Sequence, residues 1–474
     1  MYFDTLSYLL FLSFVTLLFW RFPHRYHKPL LLLSSYVFYM SWLPVWGLIL
    51  AVMTIANYLF VIRLAAAERE RRGFFVIFLC FNLSVLIFYK YTGFIIGNFQ
   101  SLLGMSPVFA GFDPMKQILA PLGISFITFG FIHYGTEVYR GRSPIRNWID
   151  FAIYAAFFPA LISGPIKRYD DFIPQLSSRP VFQEDRFIRG LWLLTRGLFK
   201  KIVLADTLNE MVTAGFGSQA GLGVIDAWIV VIALTLQIYF DFSGYTDMAR
   251  GSAGLMGYRL PENFRLPYLA ANIADFWRRW HMTLSFWFRD YLYIPLGGNR
   301  CGRFRNHANL LITMLLVGLW HGAAWTFVFW GFYHGIGLMV HREWRHYWHG
   351  RKPIGHPFLQ NFLAVATTFG FVAVGWIFFR ANTLTDSWAM LSCMTGLGSA
   401  GITGNLNTDH WIAFILIALF YPAYLWVARW LQEESRAHWI QSRIWLLRAG
   451  WAALMLLAIL AFPGENATFI YFVF

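Results

Sequence analysis

The stretch Leu310–Val340, LLITMLLVGLWHGAAWTFVFWGFYHGIGLMV, decides what kind of protein this is. It is long enough for two helical passes through a bilayer at about 20 residues per crossing. At its middle, in Leu316–Trp330 (LVGLWHGAAWTFVFW), His321 sits between Trp320 and Gly322. A titratable imidazole that deep in a hydrophobic segment costs free energy unless it is paired or used. Two readings therefore stand side by side: a histidine satisfied by a neighbouring helix, or one that carries chemistry.

Composition agrees with the membrane setting. Of 474 residues 58% are hydrophobic, 20% aromatic and only 13% charged, which excludes an ordinary soluble domain and indicates one polytopic helical bundle. The opening MYFDTLSYLLFLSFVTLLFW has no basic n-region or small-residue cleavage site, so a retained first span is expected there. The formal charge of +14, from 38 Lys+Arg against 24 Asp+Glu, would favour nucleic acid in a soluble protein. Here it is better explained by basic loops that set topology and meet membrane lipid, so no nucleic-acid partner is expected. Cys80, Cys301 and Cys393 are too few and too scattered for a disulfide framework or a cysteine metal site.

Further apolar runs are Leu9–Trp20, Leu30–Trp42, Trp46–Leu64, Phe74–Tyr89, Leu119–Phe131, Phe151–Ile162, Phe187–Leu204, Ala227–Phe240, Phe362–Phe379, Trp411–Trp430 and Ile444–Phe462. Several fall short of a full crossing, which predicts an all-α protein of roughly 10–12 transmembrane or re-entrant helices. Arg21, Arg25 and Lys28, then Arg63, Arg69, Arg71 and Arg72, then Arg140, Arg142, Arg146, Lys167, Arg168, Lys200 and Lys201, the Arg-rich Phe276–Asn306, and later Arg342, Arg345, Arg351 and Lys352 mark cytoplasmic connectors. The N-terminus and the weakly charged loops Gly97–Pro114 and Thr395–His410 then fall outside. Counting inward from Arg305 and Arg342 at 1.5 Å per residue puts His321 roughly 20–25 Å from the cytoplasmic face.

Two other stretches hold polar groups beside apolar ones. Asp275–Pro295, DFWRRWHMTLSFWFRDYLYIP, read as one helix, places Phe276, Trp280, Leu284, Trp287 and Tyr291 on one face. Arg278, His281, Ser285 and Arg289 fall on the other. Such a helix reads as interfacial, or as an arginine face for an anionic cytosolic ligand with His281 at the mouth of a passage. In Gln237–Arg250, QIYFDFSGYTDMAR, Asp241 ends an apolar run and is followed by Ser243 and Asp247. Asp247 reads as a cap, while Asp241 could orient a histidine or hold a loop. No phosphate-binding glycine loop, no HExxH spacing and no Gly-x-Ser-x-Gly elbow occurs, and His321 and His334 do not share a helical face. No metal site is expected. What remains is a histidine base without a protein nucleophile, which suits direct transfer of an activated acyl group to a hydroxyl.

The chain resembles the membrane-bound O-acyltransferase family, in its bacterial branch with the alginate O-acetylation membrane component. The resemblance rests on PLGISF (Pro121–Phe126), FFPALISGPIKRY (Phe157–Tyr169), YFDFSGYTDMARG (Tyr239–Gly251) and NFRLPY (Asn263–Tyr268). It continues through FWRRWHMTLSFWFRDYLYIPLGGNR (Phe276–Arg300), GLWHGAAWTF (Gly318–Phe327) and GWIFFRA (Gly375–Ala381). It implies a single integral-membrane domain over residues 1–474, with a catalytic core near 118–381 and a central tunnel. It further implies His321 as the family's catalytic histidine and His281 at the second polar position. Arg278, Arg279, Arg289, Ser285, Trp320, Asp241 and Ser243 are carried as donor-side or tunnel-lining residues.

The donor so implied is a cytoplasmic thioester, acetyl-CoA or an acyl carrier, with no permanently bound cofactor. The acceptor is an extracytoplasmic polysaccharide reached through a periplasmic or membrane-anchored acetyltransferase partner, at the bacterial inner membrane. D-alanyl transfer to an envelope polymer, a flippase of an acyl carrier, and a scaffold whose partner holds the chemistry are the rival readings. The C-terminal FIYFVF resembles the aromatic tail of this branch and departs from it at Val473.

Overall fold

The protein is described from a computed structural model covering residues 1–104, 120–217, 221–348, 356–398, 401, 406–433, 450 and 452–460. Among these residues the regular structure is helical throughout: α1 (Leu6–Arg21), α2 (His27–Met40), α3 (Pro44–Ala66), α4 (Arg71–Lys90), α5 (Thr92–Leu102), α6 (Ile124–Tyr139), α7 (Trp148–Ala156), α8 (Tyr169–Ser177) and α9 (Glu184–Leu198). After a π-helical turn at Phe199–Ala205 come α10 (Asp206–Gly217), α11 (Val224–Leu255), α12 (Ile273–Arg279) and α13 (Met282–Phe288). A second π turn, Arg289–Tyr293, leads to α14 (Arg303–His321), α15 (Trp325–Tyr347), α16 (Pro357–Arg380), α17 (Leu384–Thr395) and α18 (Thr408–Glu433).

The predicted apolar runs become helices because in lipid each backbone N–H and C=O must be satisfied within its own segment. Helices α3, α4, α11 and α16 are long and apolar enough to cross a membrane, and α1, Trp148–Ala160 and Thr408–Leu419 are shorter apolar helices. This is a multi-pass membrane protein. On α1, Leu6, Leu10, Phe14 and Leu17 are exposed while Tyr8, Leu12, Val15 and Phe19 are buried, so both faces are apolar and one of them meets lipid.

Helix α11 is the axis of the bundle. Of its most apolar window 78% is buried, against 17% for α4, so it is shielded from lipid by its neighbours. Its closest neighbour is α9, and glycines make the approach. A Cβ on Gly197 would lie 2.6 Å from the Gly244 carbonyl oxygen, and one on Gly251 would lie 2.7 Å from that of Gly190. Small residues at matched spacing on two helices are the usual device for such contact in membranes.

This axis corrects the reading of Gln237–Arg250. Asp241 and Asp247 do not end a span; both lie inside one continuous helix and are buried. Asp247 is no cap but an ion-pair centre, taking Arg196 at 2.6 and 2.9 Å and Lys200 at 2.8 Å. Asp241 lies 3.2 Å from Lys201, which also binds Asp206 at 2.7 Å. Arg196 comes from the end of α9 and Lys200 and Lys201 from the π turn, while Arg250, on α11 itself, stands 3.9 Å from Asp247. Lys200 and Lys201, expected at a cytoplasmic connector, are instead buried on consecutive residues of the π turn, where both ammonium groups pair with acids of the core.

Asp275–Pro295 is not one helix either. It breaks at Trp280–His281 into α12 and α13 and ends in a π turn. Of the predicted outside loop at 97–114, residues 97–102 belong to α5, and 105–119 lie outside the described residues. The FIYFVF tail lies outside them as well, as do residues 444–449, 451, 461 and 462 of the Ile444–Phe462 run.

Candidate active site

His321 is the last residue of α14, and the turn Gly322–Ala324 leads directly into α15. Glycines again set the geometry. A Cβ at Gly318 would collide with the Phe327 carbonyl and one at Gly331 with the Met314 carbonyl, so the two backbones touch. This presses the His321 ring, 4% exposed, among Trp320 at 4.9 Å, Trp330 at 5.2 Å and Phe379 at 5.2 Å between centroids.

His281 arrives from the break between α12 and α13, in a left-handed backbone with φ 40° and ψ 53°. The NFRLPY block makes the break affordable. The Met282 N–H donates to the Asn263 carbonyl (2.9 Å), Thr283 Oγ1 to Asn263 Oδ1 (2.7 Å), and the Arg265 N–H to the Arg279 carbonyl (2.9 Å). These bonds satisfy groups that a continuous helix would have paired internally. The expected position of His281 at a passage mouth is corrected: the residue is fully buried, its ring edge-on to Phe242 at 4.7 Å and 6.2 Å from both Phe126 and Trp320.

Trp320 thus contacts both histidine rings, and Trp330 packs against both His321 (5.2 Å) and His334 (4.7 Å). His334 on α15 is the residue that helical-face reasoning missed. It is fully buried against Trp277 (5.4 Å) and Trp330 (4.7 Å). Neither of its ring nitrogens, nor the indole N–H of Trp277, Trp320, Trp330 or Trp376, has a hydrogen-bond partner among the described residues. A buried polar group left so costs about 1–3 kcal/mol, so these groups are open to a polar ligand's hydrogen bonds.

The other expected site residues separate from this centre. Arg278 and Arg289 have side chains 64% and 52% exposed, and they pair with Asp275 and Asp290. Arg279 also pairs with Asp275, at 2.8 Å. Ser285 Oγ donates to the Trp280 carbonyl (3.1 Å) and supports the helix break. Asp241 is held in the α11 ion pairs described above, and Ser243 is buried beside it on α11, its hydroxyl unpartnered among the described residues.

At the arginine-rich end a clasp joins the sequence blocks. His133 accepts the Tyr169 N–H at Nε2 (2.8 Å) and bonds Tyr291 through Nδ1, and Tyr291 donates to Glu137 (2.8 Å). Burial raises the Asp290 carboxyl, but hydrogen bonds from Arg289 and Arg168 outweigh it and hold that group below its ordinary value. No group of three or more His, Cys, Asp or Glu suited to a metal ion occurs among the described residues.

The family model of the membrane-bound O-acyltransferases matches residues 31–379, a span that contains every residue of this centre. The chain belongs to the membrane-bound O-acyltransferase family. It is 39% identical over 426 residues to the Pseudomonas aeruginosa protein named "Probable alginate O-acetylase AlgI", covering 87% of this chain and 79% of that one. A Helicobacter pylori "Peptidoglycan O-acetyltransferase" is 35% identical over 404 residues, covering 79% and 75%. The "Teichoic acid D-alanyltransferase" of Bacillus subtilis is 29% identical over 285 residues, covering 57% and 71%. As a member of this family the protein is an O-acyltransferase, and its fold is the polytopic helical one that the sequence predicts.

Proposed function

We propose that this O-acyltransferase passes an acetyl group from a cytoplasmic thioester, acetyl-CoA, to a hydroxyl outside the inner membrane, and so acetylates an exopolysaccharide. An alginate-type polymer is the first acceptor and a cellulose-type polymer the second, reached through a periplasmic or membrane-anchored partner acetyltransferase. The names of the Pseudomonas and Helicobacter relatives support an acetyl donor and an envelope polymer.

The observation that carries the reading is the meeting of two histidines from separate segments on one buried tryptophan. In the reaction His321 takes the proton of the acceptor hydroxyl as that oxygen attacks the thioester carbonyl carbon. The C–O bond forms, the C–S bond breaks, and the departing thiolate receives the proton back from the imidazolium. Base catalysis of this kind contributes about 10²–10⁴-fold, the remainder coming from holding donor and acceptor in register. His281 positions the thioester, and the unpartnered indole N–H groups near His321 can bind its oxygen. Arg278, Arg279 and Arg289, at the exposed end of the same segment, suit the anionic nucleotide of the donor.

Inverted membrane vesicles given radiolabelled acetyl-CoA test this. Wild-type protein should label luminal polymer, and His321→Ala, inserted at normal level, should lower labelling at least 100-fold. Full labelling by that variant overturns the mechanism. Label that enters the lumen without becoming esterified would favour a flippase instead. The Bacillus relative supports D-alanyl transfer as a second reading; vesicles supplied with a D-alanyl carrier protein separate the two.

A further inference from the structure

The end of α4 reaches across the bundle to the end of α14. Lys90 Nζ donates to the carbonyl oxygens of Trp320 (2.5 Å) and His321 (3.0 Å), and the Tyr91 hydroxyl donates to that of Leu319 (2.8 Å). These are three consecutive carbonyls of the kind a helix C-terminus leaves without intrahelical partners. The same corner also holds the far side of the turn: Trp325 Nε1–H donates to Asn98 Oδ1 (2.8 Å), and the Phe94 ring lies 5.7 Å from Trp325. The ammonium of Lys90 stands 5.7 Å over the Trp320 ring, the ring that touches both histidines.

No carboxylate forms an ion pair with Lys90 among the described residues, so the carbonyl dipoles of α14 are what compensate this partly buried cation. A neutral donor would cap the helix at lower desolvation cost. What the cation adds is two charge-assisted hydrogen bonds, roughly twice as strong as neutral ones, one to the backbone of Trp320 and one to that of His321.

We infer that Lys90 is a positioning residue for acyl transfer: it fixes the last turn of α14, and with it the direction of the His321 imidazole and the Trp320 wall. The inference rests on the reading of His321 as the base. The test uses the full-length protein in inverted vesicles with radiolabelled acetyl-CoA, with rates normalised to inserted, folded protein. Lys90→Met, close in length but uncharged, should lower kcat about 10- to 100-fold, the scale of a displacement near 1 Å, while KM for acetyl-CoA stays within about twofold. Lys90→Arg, which keeps a cation and donors, should recover at least a third of that loss on a logarithmic scale.

A Lys90→Met protein with wild-type kcat overturns the inference, because a merely structural lysine alters yield and not turnover per folded molecule. A parallel rise in KM also overturns it, by making Lys90 a donor contact. If Lys90→Met cannot be recovered from the membrane, Tyr91→Phe decides. A two- to fivefold fall in kcat at constant KM supports the clamp, and an unchanged kcat sinks it. His321→Ala is measured alongside. Activity in that variant removes the base reading itself, whereas an inactive His321→Ala beside a fully active Lys90→Met removes only the clamp.

Discussion

His281 holds a left-handed backbone that costs a non-glycine residue about 1–2 kcal/mol. Strain of that size persists only where the surroundings over-determine it, and here the bonds that Asn263 accepts and Arg265 donates do so. His281→Asn should therefore keep a melting temperature within about 3 °C of wild type, because asparagine tolerates this conformation. His281→Val, branched at Cβ, should lose more than about 2 kcal/mol and give little folded protein. A valine variant that melts like wild type in a detergent thermal-shift assay would disprove the strain account. His321 was legible in the sequence because an imidazole stands out against an apolar run. The break at His281 was not, since its determinants sit in NFRLPY, a block the helical pattern of Asp275–Pro295 does not include. His334 was hidden for a similar reason: helical spacing compares residues on one helix, and His321 and His334 are joined through Trp330 across a hairpin.

Between elements, the contacts that matter are backbone to backbone. Gly251→Ala would set a methyl 2.7 Å from the Gly190 carbonyl oxygen and the Leu194 nitrogen, forcing α9 from α11. Overpacking of this kind costs about 1–3 kcal/mol, so a clear drop in melting temperature is expected. Gly73→Ala on α4, with nothing within 4 Å of the added carbon, serves as the control that should not move. Asp247→Ala leaves Arg196 and Lys200 without their shared acid inside the bundle, a loss of about 3–5 kcal/mol. It should appear as low yield of folded protein in size-exclusion profiles, while the folded fraction keeps its turnover. From sequence alone Asp247 looked like a helix end, because an acid following an apolar run commonly is one. Its two nearest partners, Arg196 and Lys200, stand about fifty positions earlier on α9 and the π turn, beyond the reach of any local pattern.

For the whole molecule, the apolar composition made the class readable without coordinates, and the basic connectors predict an orientation. Single cysteines in a Cys80→Ser, Cys301→Ser, Cys393→Ser background test that orientation. An impermeant maleimide should label Asn407→Cys on intact cells and Arg345→Cys only in inverted vesicles, and the reverse pattern refutes it. The bundle's interior was less readable, since a chain that is apolar on every face gives no sign of which helix is central. One difference between the two histidine supports has a mechanical meaning. With Gly318 against Phe327 and Gly331 against Met314, the hairpin bearing His321 has no slack along which to slide. His281 instead rides a joint between two helices of seven residues each. The first support is closed by packing and the second by the hydrogen bonds of Asn263 and Arg265, so unpairing Asn263 should loosen His281 while the His321 hairpin keeps its place.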